Sequence, residues 1–239
     1  MKCRRSTSTG KVRSTLGLCG TCGLSLDSAA QVYIASSNAS RIQQSVNNLE
    51  KKHPGADISG QTCDLSGQNV RKNLENVLES VKLLDHIVFT AGDALAIVPL
   101  DNINLEAIHI RFAVPLLPAK LAPRYLKPGH QSSLTLTTGM GGEKPFPNWS
   151  LVAGYLTGLQ GLTRNLALDL EPIRVNLVSP GVVDTPLHGP GGVPDEMKGS
   201  TALGKVGTPE EAAEAYLYFM KDTNATGSCI SSNGGALLL

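Results

Sequence analysis

Thiols, hydroxyls and a few cations are the groups in this sequence that could move charge. Cys19 and Cys22 form a CxxC, the spacing of a redox pair or of half a zinc site. Zinc would need a second close pair of Cys or His, and none follows, so no metal is expected. Cys3, Cys63 and Cys229 bring the total to an odd 5 and are scattered, unlike a disulfide framework. The other candidates lie where hydroxyls stand beside turn-forming residues: Thr90-Ala91-Gly92, residues 138–142 and residues 180–185. Two long helical stretches add Arg111 and Tyr155.

These groups must be positioned by alternating strands and helices. Residues 32–36, 87–90, 134–138 and 174–178 are short apolar runs rich in β-branched residues, each followed by turn chemistry. Their unbroken apolar character is that of strands covered on both faces. A further strand should begin near Lys11 and another near Gly227. Val70, Leu74, Val77, Leu78 and Val81 share one helical face behind Asp64-Leu65-Ser66. Residues 105–126 and 151–170 read as two more helices, and Thr208-Pro209-Glu210-Glu211 is a capping box opening a helix through Met220. Strands alternating with helices predict an α/β, doubly wound parallel sheet of Rossmann type, a single domain over residues 1–239. In such sheets ligands bind at the carboxyl ends of strands, where all three hydroxyl-bearing stretches fall.

Composition sets outer limits. With 41% hydrophobic and 17% charged residues and a net charge of +1, the chain is an ordinary globular protein with no basic stripe for nucleic acid. No apolar run approaches the ~18 residues of a membrane span. Lys2, Arg4, Arg5, Lys11 and Arg13 precede the first acid, Asp27, a bias shared with transit peptides. A first strand near Lys11 leaves little room for one, and a cytoplasmic protein is expected.

From Asp85 to Gly235 the order of these pieces resembles the short-chain dehydrogenase/reductase family. Thr90-Ala91-Gly92 stands where that family has Asn-Ala-Gly after its fourth strand. Residues 134–139 resemble the fifth strand, ending at the catalytic-serine position, and Gly161-Leu162-Thr163-Arg164-Asn165-Leu166-Ala167 resembles the long helix behind the active site. Arg174-Val175-Asn176-Leu177-Val178-Ser179-Pro180-Gly181, followed by Thr185, is similar to the sixth strand and the Pro-Gly turn against the nicotinamide. Cys19-Gly20-Thr21-Cys22-Gly23-Leu24-Ser25 approximates the Gly-rich pyrophosphate turn, with cysteine for its first glycine and serine for its last.

The resemblance implies a dinucleotide site built from Gly20, Thr21, Gly23 and Leu24 at the pyrophosphate and Asp64 and Leu65 beside adenine. It further implies Ala91, Gly92, Pro180, Gly181, Val183 and Thr185 along the cofactor. Ser36, Ser37, Asn38 and Arg41 follow the second strand, where an acid would select NAD; hydroxyls and an arginine suit the 2′-phosphate of NADP(H). Ser37 or Asn38 equally suits the helix N-cap. Only residues 26–31 separate the Gly-rich turn from the next strand, so the first crossover is shortened by about two helical turns.

Ketone-reducing members of the family use Ser, Tyr and Lys, with an Asn completing a proton relay. Thr138 occupies the Ser position; counting back from Gly161 puts Val152 at the Tyr position and Leu156 at the Lys position, with His109 near the Asn position. Tyr155 is three residues past Val152, turned by roughly 60° and displaced ~4.5 Å along a helix, so it is a replacement proton donor or a packed tyrosine. Lys144-Pro145, Pro147, Trp149 and Ala153-Gly154 resemble a fungal branch with the same gap, including enzymes of indole-alkaloid assembly that combine iminium reduction with Diels–Alder cyclisation. In that branch an arginine where Arg111 stands contacts cofactor or substrate; a surface salt bridge is the alternative. Trp149 is either a substrate-stacking wall or a loop cover. The resemblance implies an NADP(H)-dependent oxidoreductase of specialised metabolism, a homo-oligomer (dimer or tetramer) acting on a small molecule without tyrosine acid catalysis. The alternatives are a cofactor-templated cyclase or isomerase and a non-catalytic dinucleotide-binding protein.

Overall fold

Strand pairing in the computed structural model runs β3-β2-β1-β4-β5-β6-β7, a 7-stranded sheet in which every neighbouring pair is parallel. The described residues are 13–18 and 30 as backbone, and 31–81, 83–92, 97–185, 188 and 191–239 with side chains. The strands are β1 (Arg13–Leu18), β2 (Ala30–Ser36), β3 (Asp57–Thr62), β4 (His86–Phe89), β5 (Ser133–Thr137), β6 (Arg174–Pro180) and β7 (Cys229–Ser232). Between them lie α1 (Ala39–Lys52), α2 (Val70–Val81), α3 (Leu105–Ala113), α4 (Leu116–Tyr125), α5 (Ser150–Asp169), α6 (Asp195–Lys198) and α7 (Pro209–Lys221). This is the expected doubly wound α/β fold.

The two faces of the sheet are covered differently. On one, α2, α4 and α5 lay Leu74, Leu78, Leu121 and Leu159 over Ile87, Phe89, Leu134, Leu136 and Leu177 in one continuous core. On the other, α1 covers β2 and β3 through Val32, Ile34 and Leu49, while α7 packs Tyr216, Phe219 and Met220 on Val88 and Val178. Among the described residues these two clusters do not join, and β1 runs between them in the sheet order. Residues 19–29 alone connect β1 to β2, fewer than the dozen or so of an ordinary parallel crossover, yet the strands pair from Arg13↔Ala30 to Leu18↔Ala35.

Under α7 the sheet carries buried polar residues; Arg174 and Asn176 are hydrogen-bonded, whereas Thr135 Oγ1 has no partner among the described residues. Arg174 is 3% exposed and donates to the carbonyls of His130, Phe219 and Asp222 at 2.6, 2.6 and 2.9 Å. It thereby neutralises the carbonyl-rich C-terminal end of α7. The capping box at the other end is present: Glu211 N–H donates to Thr208 Oγ1 and Thr208 N–H to Glu211 Oε2.

Two elements depart from the sequence expectation. The stretch 105–126 is two helices, broken at Val114–Pro115, because proline has no N–H to give and its ring clashes with the preceding turn. β3 has no apolar run (DISGQT) since it is an edge strand, exposed along most of its length. Within it Gly60 is required by close approach: a Cβ there would lie 2.1 Å from Ile42 Cγ2.

Candidate functional site

The carboxyl ends of β2 to β6 open into a cleft of about 470 Å³, roofed by α3 and α5. At the β2–β3 end its wall is polar. Ser36 and Ser37 leave β2, and Arg41 stands one turn into α1. Asn38 is not in this wall; its Oδ1 accepts from Arg41 N–H at 2.9 Å and caps α1. The capping alternative thus describes Asn38, while Ser36, Ser37 and Arg41 face the cleft. Arg41 is exposed, in the first turn of a helix with no acidic residue there, and no hydrogen bond or ion pair engages its guanidinium among the described residues. A cation on the positive end of a helix dipole is unfavourable until an anion joins them.

Asp64 and Leu65 continue this wall with Cys63 and Ser66. Asp64 Oδ1 accepts from the Ser66 N–H at 2.9 Å and from its hydroxyl at 2.7 Å, and these two bonds hold the carboxyl below its ordinary value. Burial, aided by the Asp64 charge, pushes the Cys63 thiol up to about 11, so it stays protonated near neutrality. Next along the cleft come Thr90, Ala91 and Gly92 at the end of β4; a Cβ at Gly92 would meet open space.

The far end is largely carbon. Ile110, Val114 and Pro115 face Val152, Leu156 and Pro180 across the cleft, with Arg111, Thr138 and Tyr155 the polar groups among them. Val152 is 1% and Leu156 8% exposed; one helical turn apart on α5, both present side chains that hold no proton. Thr138 is fixed twice: its N–H donates to Val178 O at 2.9 Å and its Oγ1 donates to Leu156 O at 2.7 Å. Tyr155 is half-buried and meets Phe112 edge-on, ring centroids 6.2 Å apart. With Arg111 and Pro115 it also borders a smaller apolar pocket of about 150 Å³ between α3 and α5. Arg111 is half-buried and, among the described residues, has no hydrogen bond or ion pair, so the surface salt-bridge alternative finds no partner.

Gly181, Val183 and Thr185 lie past the end of β6, outside the cleft wall. Gly181 is held by close packing, since a Cβ would sit 2.7 Å from Asn233 Cα; Val183 forms an isolated bridge with Gly207, and the Thr185 carbonyl accepts from His188 N–H. Gly20, Thr21, Gly23 and Leu24 fall outside the described residues. Trp149 is a loop cover: its ring lies on Gly141, where a Cβ would be 2.5 Å away, and against Phe146 with centroids 4.8 Å apart.

The sequence reading missed Cys63, Ser66, Ile110, Val114 and Pro115 as wall residues. The last three stand at −1, +3 and +4 from Arg111, the spacing that would have marked them.

An SDR-like Rossmann domain profile matches residues 8–239. The chain belongs to the short-chain dehydrogenase/reductase family. It is similar to the short-chain dehydrogenase/reductase malC of Malbranchea aurantiaca, 38% identical over 260 aligned positions covering 98% of each chain. That alignment is longer than this chain's 239 residues, so the relative carries residues opposite gaps here. A short-chain dehydrogenase/reductase of Stachybotrys chlorohalonatus is 38% identical over 87% of each chain. The solved structure of the MalC reductase/Diels–Alderase from Malbranchea aurantiaca superposes with a TM-score of 0.85 at 37% identity, covering 96% of this chain and 98% of that one. The chain is therefore an oxidoreductase of this family, whose Rossmann fold binds a nicotinamide dinucleotide. No helix among the described residues is long and apolar enough to cross a membrane.

The described wall fits that cofactor: hydroxyls and an unpartnered cation at a helix N-terminus suit phosphate, and the open space at Gly92 leaves room for close approach.

Proposed function

We propose that this chain is an NADP(H)-dependent oxidoreductase of specialised metabolism, transferring hydride to a C=N or to an already activated C=O without tyrosine acid catalysis. The observation that carries this is the pair Val152 and Leu156, apolar and on the cleft wall, at the positions the family's register gives to its proton-transferring Tyr and Lys. Reduction of a neutral ketone needs a proton at the nascent alkoxide, a service worth about 10²–10⁴-fold. A substrate that already carries positive charge needs none in that step. The wall then orients the substrate and excludes water.

NADP(H) is favoured over NAD(H) because Ser36, Ser37 and Arg41 gather hydroxyls and a free guanidinium where an acid would select the unphosphorylated ribose. When bound, the nicotinamide supplies the hydride. Arg111 holds an anionic or π-rich part of cofactor or substrate, which is what an unpaired half-buried guanidinium demands. Tyr155 is a packing and shaping residue on the evidence of its edge contact with Phe112. A homo-oligomer suits the exposed Phe112, Leu116 and Leu168 on α3, α4 and α5, which are 44%, 43% and 70% exposed.

A cofactor-templated cyclase is the second reading. It is favoured by the apolar far end, which can hold a diene, and by the similar structure described as a reductase/Diels–Alderase. Single-turnover oxidation of bound NADPH by a cyclic iminium ion tests the first reading. Stoichiometric oxidation supports the reductase; tight NADPH binding with no oxidation by any iminium ion contradicts it and leaves the cyclase.

A further inference from the structure

The hydrogen bond from Thr138 has a consequence for which substrates the cleft can take. A threonine hydroxyl has one hydrogen and two lone pairs. Here the hydrogen is committed: Thr138 Oγ1 donates to Leu156 O at 2.7 Å in a buried bond. Leu156 lies in the interior of α5, so its carbonyl already accepts the helical N–H four residues on, and Thr138 uses its second lone pair. Thr138 is itself held in place, 7% exposed, with its N–H bonded to Val178 O and a β-branched side chain that is stiff at χ1. What its oxygen can still do toward the cleft is accept.

The neighbours do not compensate. Val152 and Leu156 are apolar and Pro180 has no N–H, so none of these three offers a donor; the far end's other donors among the described residues are Arg111 and Tyr155. Thr137, the residue before, is hydrogen-bonded to the Tyr216 hydroxyl at 2.8 Å, a bond in which either oxygen can donate. A carbonyl oxygen placed at Thr138 would bring lone pairs against lone pairs, or would have to break the buried bond to Leu156. A group that donates meets a fixed acceptor.

We propose that Thr138 Oγ1 accepts a hydrogen bond from the N–H of a protonated imine, so that the site selects N–H iminium ions over carbonyl compounds and over N-alkyl iminium ions. This rests on the hydride-transfer reading above. Hydride adds to the iminium carbon, the C=N π pair moves onto nitrogen, and the N–H hydrogen stays there, giving a neutral secondary amine. NADPH is oxidised to NADP+ and no further proton is needed. As the charge on nitrogen collapses the N–H becomes a poorer donor, so the bond to Thr138 weakens and favours release of the amine.

The test uses two probes that differ by one methyl group: protonated dihydroisoquinoline and its N-methyl iminium analogue, at a pH below the pKa of the imine. Affinity is measured by calorimetry on the full chain loaded with NADP+, which cannot deliver hydride. The N–H ion should bind about tenfold or more tightly than the N-methyl ion, the scale of one hydrogen bond to a charged group. Thr138→Val should erase that ratio while leaving N-methyl affinity within about twofold, and Thr138→Ser should keep it. A parent protein that does not discriminate overturns the inference even if the valine variant fails to fold, and so does a folded Thr138→Val that still discriminates. Turnover of the same ions with NADPH separates the two levels. Selective binding without oxidation removes the reductase reading alone, and oxidation of both ions without selectivity removes the role of Thr138 alone.

Discussion

At the β2–β3 end of the cleft, Ser36, Ser37, Asp64 and Ser66 offer hydroxyls and a carboxylate, and Arg41 a guanidinium with no partner among the described residues; at the β5–β6 end, Ile110, Val114, Val152, Leu156 and Pro180 offer carbon. The polar end supports the proposed preference for a phosphorylated ribose. The apolar end keeps the shape of a reaction chamber, while the Thr138 hydroxyl in it is turned into the protein. Binding a dinucleotide and moving a proton are thus separable demands on one fold, and this chain shows the residues for the first more plainly than for the second.

The contrast can be broken at Cys63, which belongs to the polar end yet is buried. With its thiol pushed up from 9.0 to about 11, the thiolate fraction at neutral pH should be about a hundredfold below that of an ordinary cysteine. Iodoacetamide labelling followed by peptide mass analysis should be slow at neutral pH, rise until the pH nears about 11, and be further suppressed by NADPH. Fast labelling at neutral pH, unaffected by cofactor, would place Cys63 elsewhere. Next in size is Arg111→Ala, which removes the cation of the apolar end. Loss of one charge-assisted contact predicts a fall in kcat/KM of about 10- to 100-fold. An unchanged value would leave that guanidinium without a ligand.

Arg41→Ala acts at the opposite end and should leave chemistry alone. NADPH should bind the parent more tightly than NADH, and the variant should narrow the gap by ~1 kcal/mol or more, about fivefold, by fluorescence titration. Equal affinities in the parent would remove the NADP assignment. The smallest effect is expected from Tyr155→Phe, which keeps the ring on Phe112: iminium reduction should change by less than about twofold and stay flat with pH near neutrality.

Much of this was legible before any coordinates. Strands that are buried on both sides declare themselves by β-branched runs, and four of them were placed within a few residues. The Thr208 capping box needed only four consecutive residues, because its bonds are local. What escaped depended on the far side of the molecule. β3 is an edge strand whose sequence is polar since one flank faces solvent, and Pro115 reads as one more helical residue unless its missing N–H is counted. In the site, Thr138 was recognisable by position, but the direction of its hydroxyl depends on a carbonyl 18 residues away on another element. Trp149 suits a substrate wall and a loop cover equally in sequence, and the choice depends on Gly141 lying beneath its ring. The short link between β1 and β2 was plain from residue numbers alone, and the two strands pair in parallel on either side of it.

The central claim, hydride transfer without a tyrosine acid, is tested most directly by one comparison. A panel of simple ketones and cyclic iminium ions is offered to the chain under identical NADPH conditions, and NADPH oxidation is followed for each in the parent and in Tyr155→Phe. The iminium ions should be reduced about 10²–10⁴-fold faster than the ketones, the worth of the missing general acid, and Tyr155→Phe should leave those rates in place. Brisk ketone reduction that collapses in Tyr155→Phe would contradict the account, showing that the proton-transfer machinery is shifted along α5 and not lost.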